Sequence, residues 1–96
     1  MPGPESTIES AVCKFARDHG ALALKLSGAN NRGQPDRLFL YQRRACFIEF
    51  KAPGNRPTKL QEHWIEKLCA QGFSATWKDD AEEAKRWLAK HLFGLG

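Results

Sequence analysis

Two strand-like segments separated by a short polar link constrain this chain more than any other feature. The segments cover residues 36–41 (DRLFLY) and 45–51 (ACFIEFK), and both are rich in the aromatic and branched apolar residues that favour strands. The link, Gln42 to Arg44, is long enough only for a tight turn. The pair is therefore predicted to form an antiparallel hairpin, around which the rest of the chain must be arranged.

Helical and strand-like patterns flank this hairpin on both sides. Apolar residues at helical spacing predict three helices, at residues 7–19, at 58–70 and from Asp79 or Asp80 to about Leu92. Shorter apolar runs at 21–26 and 73–77 predict two further strands, and turn-forming residues predict loops at 27–35 and 52–57. The order α-β-β-β-α-β-α predicts an α/β fold, one domain over residues 1–96 in which helices flank a mixed four-stranded sheet.

Local signals predict where the helices begin and which faces they bury. Ser6 with Glu9, and Thr58 with Gln61, have the spacing of capping boxes. The three tryptophans are expected to fill the core or an interface rather than to stack on bases. Apolar faces are predicted on the second helix (Leu60, Trp64, Ile65, Leu68) and on the third (Ala84, Trp87, Leu88, Leu92).

Composition narrows the class of protein. The 96 residues contain no apolar run near the roughly 20 residues of a membrane span, and the first ten, MPGPESTIES, do not resemble a signal peptide. We therefore expect a cytoplasmic protein, including a viral protein acting in its host's cytoplasm. Three cysteines without a CxxC pair and three scattered histidines favour reduced thiols over a disulfide framework or a zinc site. The net charge of +4 weakly favours a polyanionic partner.

The polar residues at the ends of the predicted hairpin indicate a site for a divalent cation. Glu49 lies thirteen positions after Asp36, and Lys51 lies two positions further on. Residues i and i+2 of a strand share a face, so Glu49 and Lys51 should point together while Ile48 and Phe50 face the core. If Asp36 begins the neighbouring strand, its carboxylate comes close to that of Glu49. Two such carboxylates repel unless a cation lies between them, and oxygen ligands suit Mg²⁺ or Mn²⁺.

This set of groups matches the needs of phosphodiester hydrolysis. A divalent ion polarises the phosphoryl oxygen and makes water a nucleophile at neutral pH. The ammonium of Lys51 can orient that water or offset charge that develops on the phosphate. The alternative is structural: Glu49 and Lys51 can form a solvent-facing ion pair, and Asp36 can be a turn residue.

Four blocks of sequence resemble one family in their order and spacing. They are residues 20–25 (GALALK), 33–36 (GQPD), 48–54 (IEFKAPG) and 59–64 (KLQEHW). With the first helix they resemble the VRR-NUC family of the PD-(D/E)XK nuclease superfamily, whose small stand-alone members are often viral. The core is also similar to that of archaeal-type Holliday junction resolvases. The resemblance implies a restriction-endonuclease-like α-β-β-β-α-β core with an added C-terminal helix, and a Mg²⁺- or Mn²⁺-dependent deoxyribonuclease that acts on branched DNA, commonly as a homodimer.

The resemblance also implies roles for individual residues. Asp36 and Glu49 would be catalytic metal ligands, Lys51 the catalytic lysine and Gln61 a residue beside the site, unless Gln61 is only a capping partner. Glu9 would be the ligand from the first helix, with Glu5 as the rival and capping by Ser6 as the structural alternative. The carbonyl of Phe50 would complete the ligands. Nucleic-acid contacts are predicted at Lys25, Arg32 and Lys59, where solvated positions are the alternative.

Assembly and two other functions remain open at this stage. A twofold homodimer would supply two sites for two strands, and the apolar C-terminal residues Trp87, Leu88, Leu92 and Phe93 are candidates for its interface. The first alternative function is a non-catalytic nucleic-acid-binding module on the same fold. The second is a protein-interaction domain, which would need neither Asp36 nor Lys51.

Overall fold

The computed structural model describes residues 3–26 and 32–95, which contain every predicted element in the predicted order. Much of the predicted 27–35 loop lies outside the described residues. In this part of the chain, no helix is long and apolar enough to cross a membrane. The elements are α1 (Pro4–Asp18), β1 (Leu22–Lys25), β2 (Arg37–Tyr41), β3 (Arg44–Phe50), α2 (Lys59–Ala70), β4 (Ser74–Lys78) and α3 (Ala81–His91).

The four strands form one mixed sheet in the order β1-β2-β3-β4, which confirms the predicted α/β class. Strands β1, β2 and β3 are antiparallel neighbours, whereas β3 and β4 are parallel because α2 carries the chain back across the sheet. The hairpin register pairs Arg37 with Ile48 and Tyr41 with Arg44. It therefore places Asp36, the residue before β2, beside the C-terminal end of β3.

The main core lies between one face of the sheet and the helices α1 and α3. Phe39, Ile48 and Phe50 are fully buried there, as the alternation of β3 predicts. Helix α1 contributes Val12 and Ala16, and α3 and the residues after it contribute Ala84, Leu88 and Leu92, all of them fully buried. This packing turns the odd-numbered residues of β3, including Glu49, toward the opposite face.

The start of α1 differs from the prediction. The helix begins at Pro4, three residues before the predicted Thr7, and its N-cap is Gly3, which makes no side-chain capping bond. The predicted Ser6–Glu9 capping box is therefore wrong. Proline at the first helical position has no N–H to satisfy and has a helical φ already, which explains the earlier start. As a result, Glu9 lies in the middle of the helix and its carboxylate is available for other contacts.

Helix α2 covers the other face of the sheet only in part. Thr58 and Gln61 form the predicted capping box, but none of the residues of α2 is fully buried. Trp64, Ile65 and Leu68 are half-buried, and Leu60 is 47% exposed. All three tryptophans are also half-buried rather than enclosed. Much of the apolar surface around α2 and β1 thus remains accessible.

Two residues close the β2–β3 hairpin, Gln42 and Arg43, with φ values of 44° and 70°. Positive φ at both positions is the geometry of a type I′ turn, whose twist matches that of the paired strands. The predicted hairpin is confirmed, although its turn lacks the usual asparagine and glycine.

The predicted interface residues of the C-terminal helix are largely used inside the chain. Leu88 and Leu92 are fully buried in the core, which confirms the apolar face predicted for this helix and excludes these two of the four interface candidates. Phe93 packs against the rings of Phe15, His19 and Tyr41. The physical reason is that α3 lies beside α1 on the same sheet face, where its apolar stripe completes the core.

Candidate active site

Asp36 is held in place by the backbone of the neighbouring strand. Its Oδ2 accepts a 2.9 Å hydrogen bond from the N–H of Phe50. Burial raises the pKa of the Asp36 carboxyl, and the negative charge of Glu9 also raises it, while the Phe50 N–H and the charges of Lys25 and Lys51 lower it. Asp36, the residue before β2, is therefore hydrogen-bonded to Phe50, which lies between Glu49 and Lys51 in the sequence.

Glu49 is the most deeply placed carboxylate of the described residues. The residue is 4% exposed, and Oε2 accepts a 3.0 Å hydrogen bond from the side-chain amide of Gln61. Its other oxygen, Oε1, is buried without a hydrogen-bond partner. An unpartnered buried carboxylate oxygen costs free energy, so Oε1 is a candidate donor to a bound ligand.

The surroundings of Glu49 favour its protonated form in the absence of a cation. Burial raises the pKa of Glu49 to about 7, and the negative charges of Asp36 and Glu5 also raise it, against the lowering effect of Lys51. Asp36 is hydrogen-bonded to the N–H of Phe50, the residue next to Glu49, so its negative charge acts on the Glu49 carboxyl. A bound divalent cation would reverse this effect, because it favours the ionised form of both groups.

Lys51 shares the face of Glu49, as the i, i+2 rule predicts. Its Nζ lies 3.7 Å from Oε2 of Glu49, and its side chain is only 15% exposed. The backbone N–H of Lys51 donates to the carbonyl of Lys78, which extends the parallel pairing of β3 and β4 past the end of β3. The ion pair is thus largely shielded from solvent and does not match the solvent-facing alternative.

Gln61 combines the two roles that the sequence left as alternatives. Its Oε1 accepts from the N–H of Thr58 at 2.8 Å, and its own N–H donates to Oγ1 of Thr58 at 3.2 Å. Its Nε2 donates to Glu49 at the same time. Because the amide has separate donor and acceptor ends, one side chain both caps α2 and orients the buried carboxylate.

Glu9 is engaged by two cationic side chains. Its Oε2 accepts hydrogen bonds from Arg37 and, at 3.2 Å, from Lys25. Burial acts to raise the pKa of Glu9, but these hydrogen bonds and the two positive charges together lower it. Glu9 lies near enough to Asp36 to affect its pKa. The predicted role of Glu9 as a ligand stays a prediction, and in this structure its carboxylate is an ion-pair partner.

Arg37 contacts the candidate ligand Glu9, and the sequence patterns did not single it out as a site residue. The signal was available: Arg37 lies two and four residues before Phe39 and Tyr41, so it points to the α1 side of the sheet. A charged residue on a core-facing position needs a buried partner, and Glu9 supplies it. Glu5, the rival ligand, is exposed one turn before Glu9, and its charge contributes to the raised pKa of Glu49.

The predicted nucleic-acid contacts lie on accessible parts of the surface. Arg32 and Lys59 are exposed, in the turn before Asp36 and at the start of α2. The side chain of Lys25 is 55% exposed while it pairs with Glu9. Their contacts with DNA, like the ligand role of the Phe50 carbonyl, remain predictions.

The donor set fits a hard divalent ion in its chemistry, although it is not a ready-made cage. Within residues 3–26 and 32–95, no group of three or more His, Cys, Asp or Glu side chains is arranged to hold a metal ion. The buried, unpartnered Oε1 of Glu49 and the adjacent carboxylate of Asp36 are nevertheless the oxygen donors that such an ion requires. The residues present therefore fit an ion held mainly by Asp36 and Glu49.

Comparisons with known proteins give one curated relative that is named as a nuclease and no matching family model. A protein named "Putative nuclease p44", from Acyrthosiphon pisum secondary endosymbiont phage 1, is 40% identical over 69 residues, which cover 71% of this chain and 74% of the phage protein.

Solved structures share the fold. A structure named "VRR_NUC domain" superposes with a TM-score of 0.82 at 22% identity, over 95% of this chain and 99% of the other. A "VRR_NUC domain protein" gives 0.78 at 16% identity, over 100% and 93% of the two chains. At these identities the two likenesses show a shared fold.

Proposed function

Because the chain belongs to the family of its phage nuclease relative and has the fold of VRR-NUC domains, we propose that it is a metal-dependent endonuclease that hydrolyses phosphodiester bonds in DNA. One observation carries the proposal. Glu49 is 4% exposed, its Oε1 has no partner, and Asp36 and Lys51 are close enough to shift its pKa. An ionised carboxylate with a buried, unpartnered oxygen is destabilising unless a cation binds it.

The ion in the proposal is Mg²⁺ or Mn²⁺, held by Asp36 and Glu49 with a contribution from Glu9 and the carbonyl of Phe50. When bound, it supplies Lewis-acid chemistry by polarising the phosphate and making water acidic enough to attack at neutral pH. The only side-chain donors in this set are carboxylates, which suits a hard ion. Ca²⁺, which is larger and tolerates looser geometry, is expected to support DNA binding without cleavage.

The chain's own residues orient the reaction. Asp36 is immobilised by the Phe50 N–H, and Glu49 is oriented by the amide of Gln61. The ammonium of Lys51, 3.7 Å from Glu49, can hold the attacking water by a hydrogen bond and offset negative charge on the phosphate as it develops. Lys25, Arg32 and Lys59 contact the DNA backbone and contribute salt-dependent affinity.

The favoured substrate in the proposal is branched DNA, including four-way junctions, and the active form is a homodimer. Two copies related by a twofold axis would place two sites on two strands. Among the exposed apolar side chains, two lie together on the outer face of β1, where Leu22 is 59% and Leu24 is 43% exposed. We assign the contact to this face. A cytoplasmic location is consistent with a DNA substrate and with the buried free thiols of Cys13 and Cys46.

Cleavage assays test the proposal directly. Labelled duplex, flap, fork and four-way-junction DNA are incubated with wild-type protein in Mg²⁺, Mn²⁺, Ca²⁺ or EDTA, alongside Asp36→Asn and Glu49→Gln. We expect cutting only with Mg²⁺ or Mn²⁺, fastest on branched DNA, and none with either variant. Full activity in EDTA, or in the Asp36→Asn protein, would refute metal-dependent catalysis at this site.

The same assays separate the two alternatives. Wild-type binding in Ca²⁺ without any cutting in Mg²⁺ would indicate a non-catalytic nucleic-acid-binding module. A protein-interaction domain would bind no DNA, and its function would survive alanine at Asp36 and Lys51. The buried site around Glu49 favours the nuclease over both, because neither alternative uses an unpartnered buried carboxylate.

A further inference from the structure

A cavity of about 150 Å³ lies between α2 and the sheet, on the same face as Glu49. We call it the Trp64 pocket; its lining residues are Leu26, Gln34, Pro35, Phe47, Trp64 and Leu68. Pro35 is buried, and the other lining residues are half-buried, so the pocket can be reached from solvent. Gln61 and Glu49, which belong to the candidate active site, do not line it.

Three segments of the chain contribute residues both to the pocket and to the candidate active site. Pro35 directly precedes Asp36. Phe47 lies two residues before Glu49 on the same strand face, a separation of about 6–7 Å along β3. Trp64 lies three residues after Gln61 on the same side of α2. A DNA strand with its phosphate at Asp36 and Glu49 would therefore bring a neighbouring nucleotide to the Trp64 pocket.

The lining suits a nucleobase better than a phosphate or a metal ion. None of the six side chains is charged, and Phe47 and Trp64 supply aromatic rings. The faces of a base stack on such rings, while its polar edge needs an amide or similar group, which Gln34 can provide as donor and acceptor. Lys67 Nζ lies 4.4 Å from the centroid of the Trp64 ring, so a positive charge beside the pocket is available to the phosphates of a bound strand.

The turn that carries Gln34 packs closely against α2. Gly33 has a φ of +79°, and a Cβ at this position would lie 2.9 Å from Cδ1 of Trp64 and would also clash with Leu60. The turn therefore lies too close to α2 for a side chain at position 33, and this approach holds Gln34 and Pro35 opposite Trp64. This contact sets the distance between Gln34 and Trp64 across the pocket.

We propose that the Trp64 pocket binds one unpaired nucleobase of the DNA strand being cut, next to the scissile phosphate. The inference rests on the proposed nuclease function and deepens it, because it gives a physical reason for a preference for branched DNA. A base in a duplex must be unpaired and unstacked before it can enter, whereas a base at a branch point is already partly free. Binding energy from stacking is then available mainly with branched substrates.

The test is single-turnover cleavage of a forked DNA in Mg²⁺, with an abasic nucleotide placed in turn at each position near the cut. We expect one position at which removal of the base slows the wild-type protein by about tenfold, the scale of one stacked base. Trp64→Leu should be slowed to a similar extent on intact DNA and should lose no more at that abasic position. Trp87→Leu, on the far side of the sheet, is the matched control and should behave as wild type does.

Three results would overturn the inference while leaving the nuclease function intact. The first is wild-type cleavage that depends on Asp36 but is unaffected by an abasic nucleotide at every position. The second is a Trp64→Leu protein that keeps the full abasic effect. If Trp64→Leu instead turns a dimer into a monomer and no abasic position matters, the pocket accommodates a second copy of the chain and the inference is wrong.

A binding measurement covers the case in which no cleavage is seen. A protein with Trp77→Phe and Trp87→Phe retains Trp64 as its one tryptophan, and its fluorescence is titrated with forked DNA in Ca²⁺. Stacking predicts quenching by the intact fork that is lost when the critical base is absent. Equal quenching by the intact and all abasic forks would contradict the inference, while absence of cleavage alone would count against the nuclease function.

Discussion

The side-chain amide of Gln61 donates a 3.0 Å hydrogen bond to Oε2 of Glu49, and its carbonyl end caps α2 through the N–H of Thr58. One side chain thus links the start of a helix to the most buried carboxylate of the sheet. The two bonds use different atoms, so their contributions can be separated by substitution at the two ends.

Replacement of Gln61 by Ala should affect both stability and cleavage, whereas Thr58→Ala should affect stability alone. Loss of either capping partner costs about 1 kcal/mol of unfolding free energy. Only Gln61→Ala also releases Glu49, and we expect its single-turnover rate to fall by about tenfold or more. Urea unfolding and cleavage are measured on both variants; equal cleavage rates would show that Gln61 has no role beyond the cap.

The stability of the metal-free protein should fall as the pH rises from 5 to 8. Burial raises the pKa of Glu49 to about 7, above its ordinary value of 4.5. Between these values the folded state retains a proton that the unfolded chain has lost, so rising pH favours unfolding. The effect should be on the order of 2 kcal/mol. Urea titrations in EDTA should show that Glu49→Gln removes most of this slope, while Glu66→Gln, on the exposed side of α2, leaves it unchanged; an identical slope for both variants would contradict the raised pKa.

Lys51→Met should lower the single-turnover cleavage rate by about 10²–10³, the range for loss of one electrostatic group. DNA affinity in Ca²⁺ should fall much less, because the other basic residues supply most of the backbone contacts. Lys51→Arg retains the charge but not the compact shape, so partial recovery would point to electrostatics over proton transfer. Lys14→Met, which alters an exposed lysine on α1, is the control. Wild-type cutting by Lys51→Met would remove the lysine from the mechanism.

The Glu9–Arg37 pair should stabilise the fold at neutral pH and lose this effect in acid. The pKa of Glu9 is lowered in the folded state, since the hydrogen bonds and charges of Arg37 and Lys25 outweigh burial. The pair therefore stabilises the fold at pH values above the pKa that Glu9 has in the unfolded chain. This stabilisation is lost as the pH falls through the lower pKa that Glu9 has in the folded protein. Arg37→Met should cost about 2–4 kcal/mol at pH 7, because it leaves a partly buried charge with less compensation. A double-mutant cycle with Glu9→Gln measures the coupling, and strict additivity would exclude it.

A charge on the outer face of β1 should dissociate the proposed homodimer without unfolding the chain. Leu24 is 43% exposed, so Leu24→Lys introduces no buried charge into one protomer. Wild-type protein should sediment as a dimer at micromolar concentration and Leu24→Lys as a monomer. Leu95→Lys changes a similarly exposed leucine outside the sheet and should remain dimeric. A monomeric wild-type protein would refute the assembly.

Local sequence patterns alone determined the framework of this protein. Spacing along the chain predicts the hairpin and the shared face of Glu49 and Lys51. It also predicts the burial of Ile48 and Phe50 and the caps of α2 and α3. Strand alternation, helical period and capping are short-range properties, so one sequence is enough to predict them. The predicted start of the first helix was wrong, because the helix begins at Pro4 and not after a Ser6–Glu9 cap.

Tertiary structure decided which of these residues meet. Residues distant in sequence meet in the hydrogen bond from Gln61 to Glu49 and in the pairing of Glu9 with Arg37. The same is true of the groups that raise the pKa of Glu49 and of the residues that line the Trp64 pocket. Each depends on strand register and on where a helix docks, and these arise from packing of the whole chain. The sequence could therefore indicate which residues carry the chemistry, but their partners and their burial depend on contacts that no local pattern encodes.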